Sequence, residues 1–217
     1  MKISWYGFSC FRIHEKDQGR EVAVVTDPFA AEGGKKLPRN LTADIVTVSH
    51  HHPRHDNVAA VGGDPFVIDG PGEYETRDIF VTGVATFHDQ AEGKVKGPNT
   101  IYHVIFDGLH LMHLGDLKHG LSGNHIPDVH SVDILFVPVG GGDTLSAKAA
   151  SDLVDQLEPR IVIPMHYRSG KTGAGLDTVD AFLKARGMKQ PDPVPILKVN
   201  KRDLPQDESQ IVILEPQ

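Results

Sequence analysis

The chain has 217 residues, with 22 lysines and arginines against 29 aspartates and glutamates, a formal net charge of −7 and one cysteine. An acidic balance disfavours a nucleic-acid partner, which wants a basic face, and the lone Cys10 excludes an internal disulfide and fits a reducing compartment. No stretch approaches the roughly 20 apolar residues of a membrane span, and Gly7 with the charges beyond it breaks the N-terminus too early for a signal-peptide core, so the expectation is a soluble cytoplasmic protein.

A chain of this length buries about 70% of its unfolded surface, enough for one sizeable core. Residues 31–36 and 168–175 are Gly-rich, polar and short, so they read as loops rather than linkers, and a single domain over residues 1–217 is expected. Apolar, β-branched or aromatic runs at 22–25, 45–48, 66–68, 79–87, 101–106, 109–114, 134–139, 161–163, 196–199 and 211–214 predict strands. Asp107-Gly108 between two of them predicts a two-residue hairpin with Phe106 opposite Leu109. That register puts Val104, Phe106, Leu109, Leu111 and His113 on the apolar face, and His103 and His110 on the other. One helix is predicted from Thr144 or Ser146 to Pro159, with Ala150, Leu153, Val154 and Leu157 on one face. A second carries Leu176, Val179, Phe182 and Leu183 and ends at Gly187. Many strands and few helices imply sheet packed on sheet with helices outside.

The chemistry lies at the ends of the strands. Val24-Val25-Thr26 leads into Asp27, Val46-Thr47-Val48-Ser49 into His50, and Val84-Ala85-Thr86-Phe87 into His88. Met112-His113-Leu114-Gly115 leads into Asp116, and Ile163-Pro164-Met165 into His166. A single Asp after a strand is an ordinary turn residue, but several His- and Asp-bearing strand ends point to one shared centre. The segment His50-His51-His52-Pro53-Arg54-His55-Asp56 concentrates four histidines in six positions. Imidazole suits Zn²⁺ and similar divalent ions. His50, His52, His55, His88, Asp116 and His166 are the candidate metal ligands; His51, between two of them, is expected to face solvent.

The order Asp27, His50-x-His52-x-x-His55, His88, Asp116, His166 resembles the metallo-β-lactamase superfamily across nearly the whole chain. The phrases Gly70-Pro71-Gly72-Glu73-Tyr74-Glu75, His113-Leu114-Gly115-Asp116-Leu117 and Pro164-Met165-His166-Tyr167 resemble its small metal-dependent hydrolases related to the ascorbate-6-phosphate lactonase group. The resemblance implies an α/β fold, a four-layer αββα sandwich, with the metal centre at one edge of the paired sheets. It implies that His50, His52 and His88 hold a first ion, His55 and His166 a second, and that Asp116 bridges them. Asp27 would accept an imidazole N–H and fix its tautomer. The family pattern has an Asp where Arg54 stands; a guanidinium beside a dication must swing away or find a counter-charge. Asp56 is an alternative ligand displaced by two residues.

The implied activity is metal-dependent hydrolysis by a metal-activated water, with Asp116 in the catalytic role, of a phosphodiester, lactone or similar ester. One or two divalent ions are expected, Zn²⁺ first and Mn²⁺ or Fe as alternatives. Arg54 is the candidate substrate-binding residue, favouring a small anionic substrate. The rival reading is a non-catalytic or mononuclear metal-binding or sensing protein whose second site Arg54 disables. Glu73 and Tyr74, then Lys118, Arg168 and Lys171, and the loop histidines His119, His125 and His130 are weaker candidates for the cleft. His113 is either a support for the centre or a satisfied core histidine.

Overall fold

The computed structural model describes residues 1–17, 19–88, 94, 97–121 and 132–217. Its thirteen strands, in chain order, are β1 (Lys2–Gly7), β2 (Cys10–Asp17), β3 (Arg20–Thr26), β4 (Ile45–Thr47), β5 (Phe66–Ile68), β6 (Gly72–Thr76), β7 (Ile79–Phe87), β8 (Pro98–Phe106), β9 (Leu109–His113), β10 (Ile134–Pro138), β11 (Ile161–Met165), β12 (Leu197–Lys198) and β13 (Gln210–Ile211). They form a six-stranded sheet, β12-β1-β2-β3-β4-β5, and a seven-stranded sheet, β13-β11-β10-β9-β8-β7-β6. Ile3, Trp5, Phe11, Val24 and Ile45 of the first sheet share one core with Ile79, Val104, Leu111 and Phe136 of the second. Burying each such side chain contributes about 1.5–3 kcal/mol.

Alternation along the strands supplies the second face. Val25 and Val46, next to the inward Val24 and Ile45, pack outward against Phe29, Leu37, Leu41 and Val61. That outer layer is loop and a single 3₁₀ turn, Val58–Ala60, rather than α-helix. On the other side, α1 (Ala147–Leu157) is the crossover between the parallel strands β10 and β11, so it covers one face of the second sheet. Ser146 caps α1 by accepting from the Ala149 N–H, and Glu158 ends it in the left-handed conformation just before Pro159. The second helix, α2 (Val179–Ala185), packs beside it through Val179, Phe182 and Leu183. Leu176 falls outside α2, because Gly173 and Gly175 turn the chain at positive φ just before it. No helix of the described residues is long and apolar enough to cross a membrane.

The Asp107-Gly108 turn has positive φ at both positions and sets Phe106 opposite Leu109, the register read from the sequence. His103 Nε2 and His110 Nδ1 meet at 3.1 Å on the outward face. Burial, then the neighbouring His110, lowers the His103 pKa to about 4. The unfolded chain therefore binds the proton first, and this ring's contribution to stability is lost as pH falls from about 6.5 toward 4. Urea unfolding of His103→Gln should show a smaller stability loss between about pH 7 and pH 4.5 than the parent shows. Equal losses would mean the pair carries no such coupling.

Candidate metal centre

Strand direction explains why the strand-end residues meet. β3 and β4 are parallel, so Asp27 and the 50–55 segment leave one end of the first sheet. β7 and β9 both run antiparallel to β8, and β9, β10 and β11 are parallel, so His88, Asp116 and His166 leave one end of the second. Hydrogen bonds across the two sheets hold those ends together. The Tyr102 hydroxyl donates to the Val48 carbonyl at 2.7 Å, the Thr100 N–H to Ser49 at 2.8 Å, and the His166 N–H to Phe8 at 2.9 Å.

Asp116 sits at the middle. Its Oδ2 lies 3.2 Å from His55 Nε2, 3.2 Å from His166 Nε2, 3.5 Å from His88 Nε2 and 4.0 Å from His50 Nε2. Among the described residues, three groups have donor atoms mutually within 4.8 Å: His50, His88 and Asp116; His55, Asp116 and His166; and His50, His52 and His55. Asp116 is common to the first two. His52 is the exposed member, 5.9 Å in ring-centre distance from both His50 and His55.

Charge is finely divided here. Burial alone would raise the Asp116 pKa, but His166 and His55 outweigh it and hold the carboxyl well below its usual range. Burial and the charge on His55 lower His50 to about 3. Burial lowers His166 to about 4 despite Asp116. Both rings are therefore neutral nitrogen donors at pH 7. For His55 burial is again the largest influence and lowers the pKa, but Asp116 and Asp27 together lift it to about 10. An incoming cation must displace that proton, which couples metal uptake to proton release.

Asp27 is fully buried and accepts from His55 Nδ1 at 2.9 Å, the Ser49 N–H at 2.7 Å and the Ser49 hydroxyl at 2.7 Å. It thus fixes His55 with Nε2 toward Asp116, the support expected of it. Ser49 also lies 3.1 Å from His50 Nδ1. Asn99 went unnoticed in the sequence, yet its amide is fully used: Nδ2 donates to Thr86 Oγ1 and the Leu114 carbonyl, and Oδ1 accepts the Asp116 N–H. It ties the strand that ends in His88 to the turn that carries Asp116. Gly115 is required in that turn, since at φ +57 a Cβ would lie 2.3 Å from Asn99 Oδ1. Asp27 and His166 turn out of their strands at φ 40 and 50, a conformation costing a non-glycine residue about 1–3 kcal/mol.

His50, His52, His88, Asp116 and His166 open into a cleft of about 320 Å³, lined also by His51, Arg54, Gly142, Asp143 and residues 174–176. Arg54 is in no ligand group; it forms a bidentate pair with Glu32, Nε to Oε2 at 2.7 Å and Nη2 to Oε1 at 2.6 Å. Glu32 is the counter-charge whose identity the sequence concealed. Asp56 lies 3.7 Å from the exposed His51 and is no ligand replacement. His113 is a satisfied core residue, Nε2 on the Ser9 carbonyl and Nδ1 accepting from Gly115. Glu73 and Tyr74 lie on the edge strand β6, away from the cleft lining, and Lys118 is outside the lining but pairs with Asp143 of the rim at 3.8 Å. Arg168, Lys171 and His119 are not in the lining either, and His125 and His130 lie outside the described residues.

A family model described as "Beta-lactamase superfamily domain" matches residues 2–166, a span that starts at β1 and takes in every strand end named above. A solved structure from Thermotoga maritima, assigned to the metallo-β-lactamase superfamily, is 35% identical with a TM-score of 0.78, covering 98% of this chain and 97% of that one. The chain belongs to the metallo-β-lactamase superfamily. Relatives named UPF0173 metal-dependent hydrolase are similar over most of their length. The one from Thermoplasma acidophilum is 27% identical over 195 residues, 78% of this chain and 84% of its own. The one from Carboxydothermus hydrogenoformans is 27% identical over 197 residues, 78% and 85%. By family this chain is a metal-dependent hydrolase.

The cluster of this metallo-β-lactamase-superfamily member fits a divalent ion on its own geometry. Among the described residues, Asp116 Oδ1 and His166 Nε2 are buried without a hydrogen-bond partner, a costly arrangement that a cation would relieve. Five imidazoles and one carboxylate are also the donor set of a borderline ion such as Zn²⁺.

Proposed function

We propose that this hydrolase acts on a small anionic ester (a phosphodiester, a lactone such as a phosphorylated one, or a relative of these) with Zn²⁺, or alternatively Mn²⁺ or Fe, in the cleft. His50, His52 and His88 would hold the first ion, His55 and His166 the second, with Asp116 shared. The observation that carries this reading is Asp116 Oδ2 within 4.0 Å of four imidazole Nε2 atoms. An ion bound there would polarise the scissile group and bring the pKa of water to about 7. The chain's own part is positional. Asp27 keeps His55 in one tautomer, Ser49 steadies His50, and Asn99 sets the backbone of Asp116.

The test combines elemental analysis of protein purified without added metal with a panel of phosphodiesters and lactones. Hydrolysis should disappear on chelation and return with Zn²⁺ or Mn²⁺. No turnover by any reconstituted sample with all ligands intact would reject the reading.

The second reading, a mononuclear or non-catalytic metal protein, is favoured by one observation: Arg54 pairs with Glu32 where a further carboxylate ligand would serve the second ion. The His55, Asp116 and His166 set should therefore bind its ion more weakly than the His50 set. Arg54→Asp should tighten that second ion by about 10–100-fold in a zinc titration. A parent that saturates at one ion and stays inactive, with Arg54→Asp gaining the second ion and activity, would favour the disabled-site reading.

A further inference from the structure

Arg54 is held more rigidly than a surface arginine needs to be. Glu32 takes the Nε and Nη2 side of its guanidinium, and the Phe8 ring lies 5.0 Å from its central carbon. Phe8 is itself fixed, edge-on to Phe29 at 5.2 Å, with its carbonyl on the His166 N–H. Glu32 sits in a two-way backbone bridge with Lys35. Gly33, at φ +61, rests so close to the Lys171 carbonyl that a Cβ would lie 2.6 Å from it. The 32–35 turn is thereby seated on the 169–172 turn, which leads into the cleft wall at 174–176.

Stability does not account for this construction. Half-exposed ion pairs add little, and a cation beside ligands for a dication is repelled. What the pair does provide is direction. Glu32 cancels the net charge of Arg54, while Nη1 and the outer Nη2 hydrogen have no partner among the described residues, and Arg54 lines the cleft beside His52 and His166. A guanidinium offers a second planar fork at its Nη1–Nη2 end, matched to two oxygens of a phosphoryl or carboxylate group.

We propose that Glu32 and Arg54 form an oxyanion-reading subsite. The Nη1–Nη2 end of Arg54 receives a phosphoryl or carboxylate group of the substrate away from the scissile bond, and Glu32 is the positioning residue that aims it. This rests on the hydrolase reading of the cleft, but the subsite can be tested without turnover.

Inorganic phosphate and acetate are titrated calorimetrically into the zinc-loaded full chain and into Arg54→Met, Arg54→Lys and Glu32→Gln. Metal content and thermal midpoint are recorded for each. Compared at equal metal content, the preferred anion should bind the parent and lose at least about tenfold in Arg54→Met, with the thermal midpoint unchanged. Arg54→Lys, which keeps the charge but not the fork, should lose severalfold, and Glu32→Gln at least about threefold. Phosphate winning over acetate assigns a phosphoryl group, and the reverse a carboxylate. Equal affinity in Arg54→Met and the parent, or binding of neither anion to the parent, overturns the subsite. Arg54-dependent anion binding without hydrolysis of any ester leaves the subsite standing and removes the hydrolase reading. Hydrolysis with anion binding indifferent to Arg54 does the opposite.

Discussion

Asp116→Asn is expected to lower kcat/KM by more than about a hundredfold and to strip metal from the protein, since even partners outside the ligand sphere of a metal are worth about 10–100-fold. The amide matches the carboxylate in shape and leaves the Asp116 N–H on Asn99 Oδ1, so the turn persists. What disappears is the negative charge that four Nε2 atoms face within 4.0 Å. Metal-free variant protein should also lose stability, because the proton that Asp116 helps hold on His55 becomes a buried charge with one counter-ion fewer. Elemental analysis, kinetics and circular dichroism separate these effects. A folded Asp116→Asn protein with full metal content and full activity would remove Asp116 from the centre.

The His and Asp cluster was legible because most of its members close apolar runs. An apolar run sets strand direction, and a His or Asp directly after it can only lie at that strand's end. The Asp107-Gly108 register was equally readable, since two residues at positive φ leave one way to pair the flanking strands. Strands β1, β2 and β6 were not. Phe8, at φ 48, sits beside a register shift between Trp5 and Gly7, so the first two strands give no clean alternation. Glu73 and Glu75 of the edge strand β6 are exposed and flank a half-buried Tyr74, so no alternating apolar run advertises it. Leu176 mimicked a helical position because it stands three residues before Val179, a spacing that cannot reveal the turns at Gly173 and Gly175.

The supports were hidden for a different reason. Glu32 and Arg54 are 22 residues apart, and Asn99 and Asp116 are 17 apart. Neither spacing belongs to a local motif, and both pairs exist only because two loops are brought together by the sheets. Ser49 abuts His50, but a small polar residue there reads equally well as a turn. Chain order reports which residues end strands; it does not report which loop carries the counter-charge.

Asp27 is where that support is worth most. Asp27→Ala leaves the Ser49 N–H, the Ser49 hydroxyl and a charged His55 without their buried acceptor. Removing one partner of a buried ion pair costs about 3–5 kcal/mol, which for a chain of this size lowers the melting midpoint by on the order of 10 °C. Asp27→Asn should act differently. The amide oxygen can still accept from Ser49, but an amide N–H now faces His55 Nδ1 and donates to it. The ring must then carry its proton on Nε2, the atom that points at Asp116. A metal ion would find that donor blocked, so zinc affinity should fall by about 10–100-fold with a smaller loss of stability than in the alanine variant. Competition with a chromogenic chelator gives the affinity, calorimetry gives the midpoint, and ¹⁵N chemical shifts of the imidazole report the tautomer directly. An asparagine variant with parental zinc affinity and a protonated Nδ1 would show that Asp27 does not set the orientation of His55.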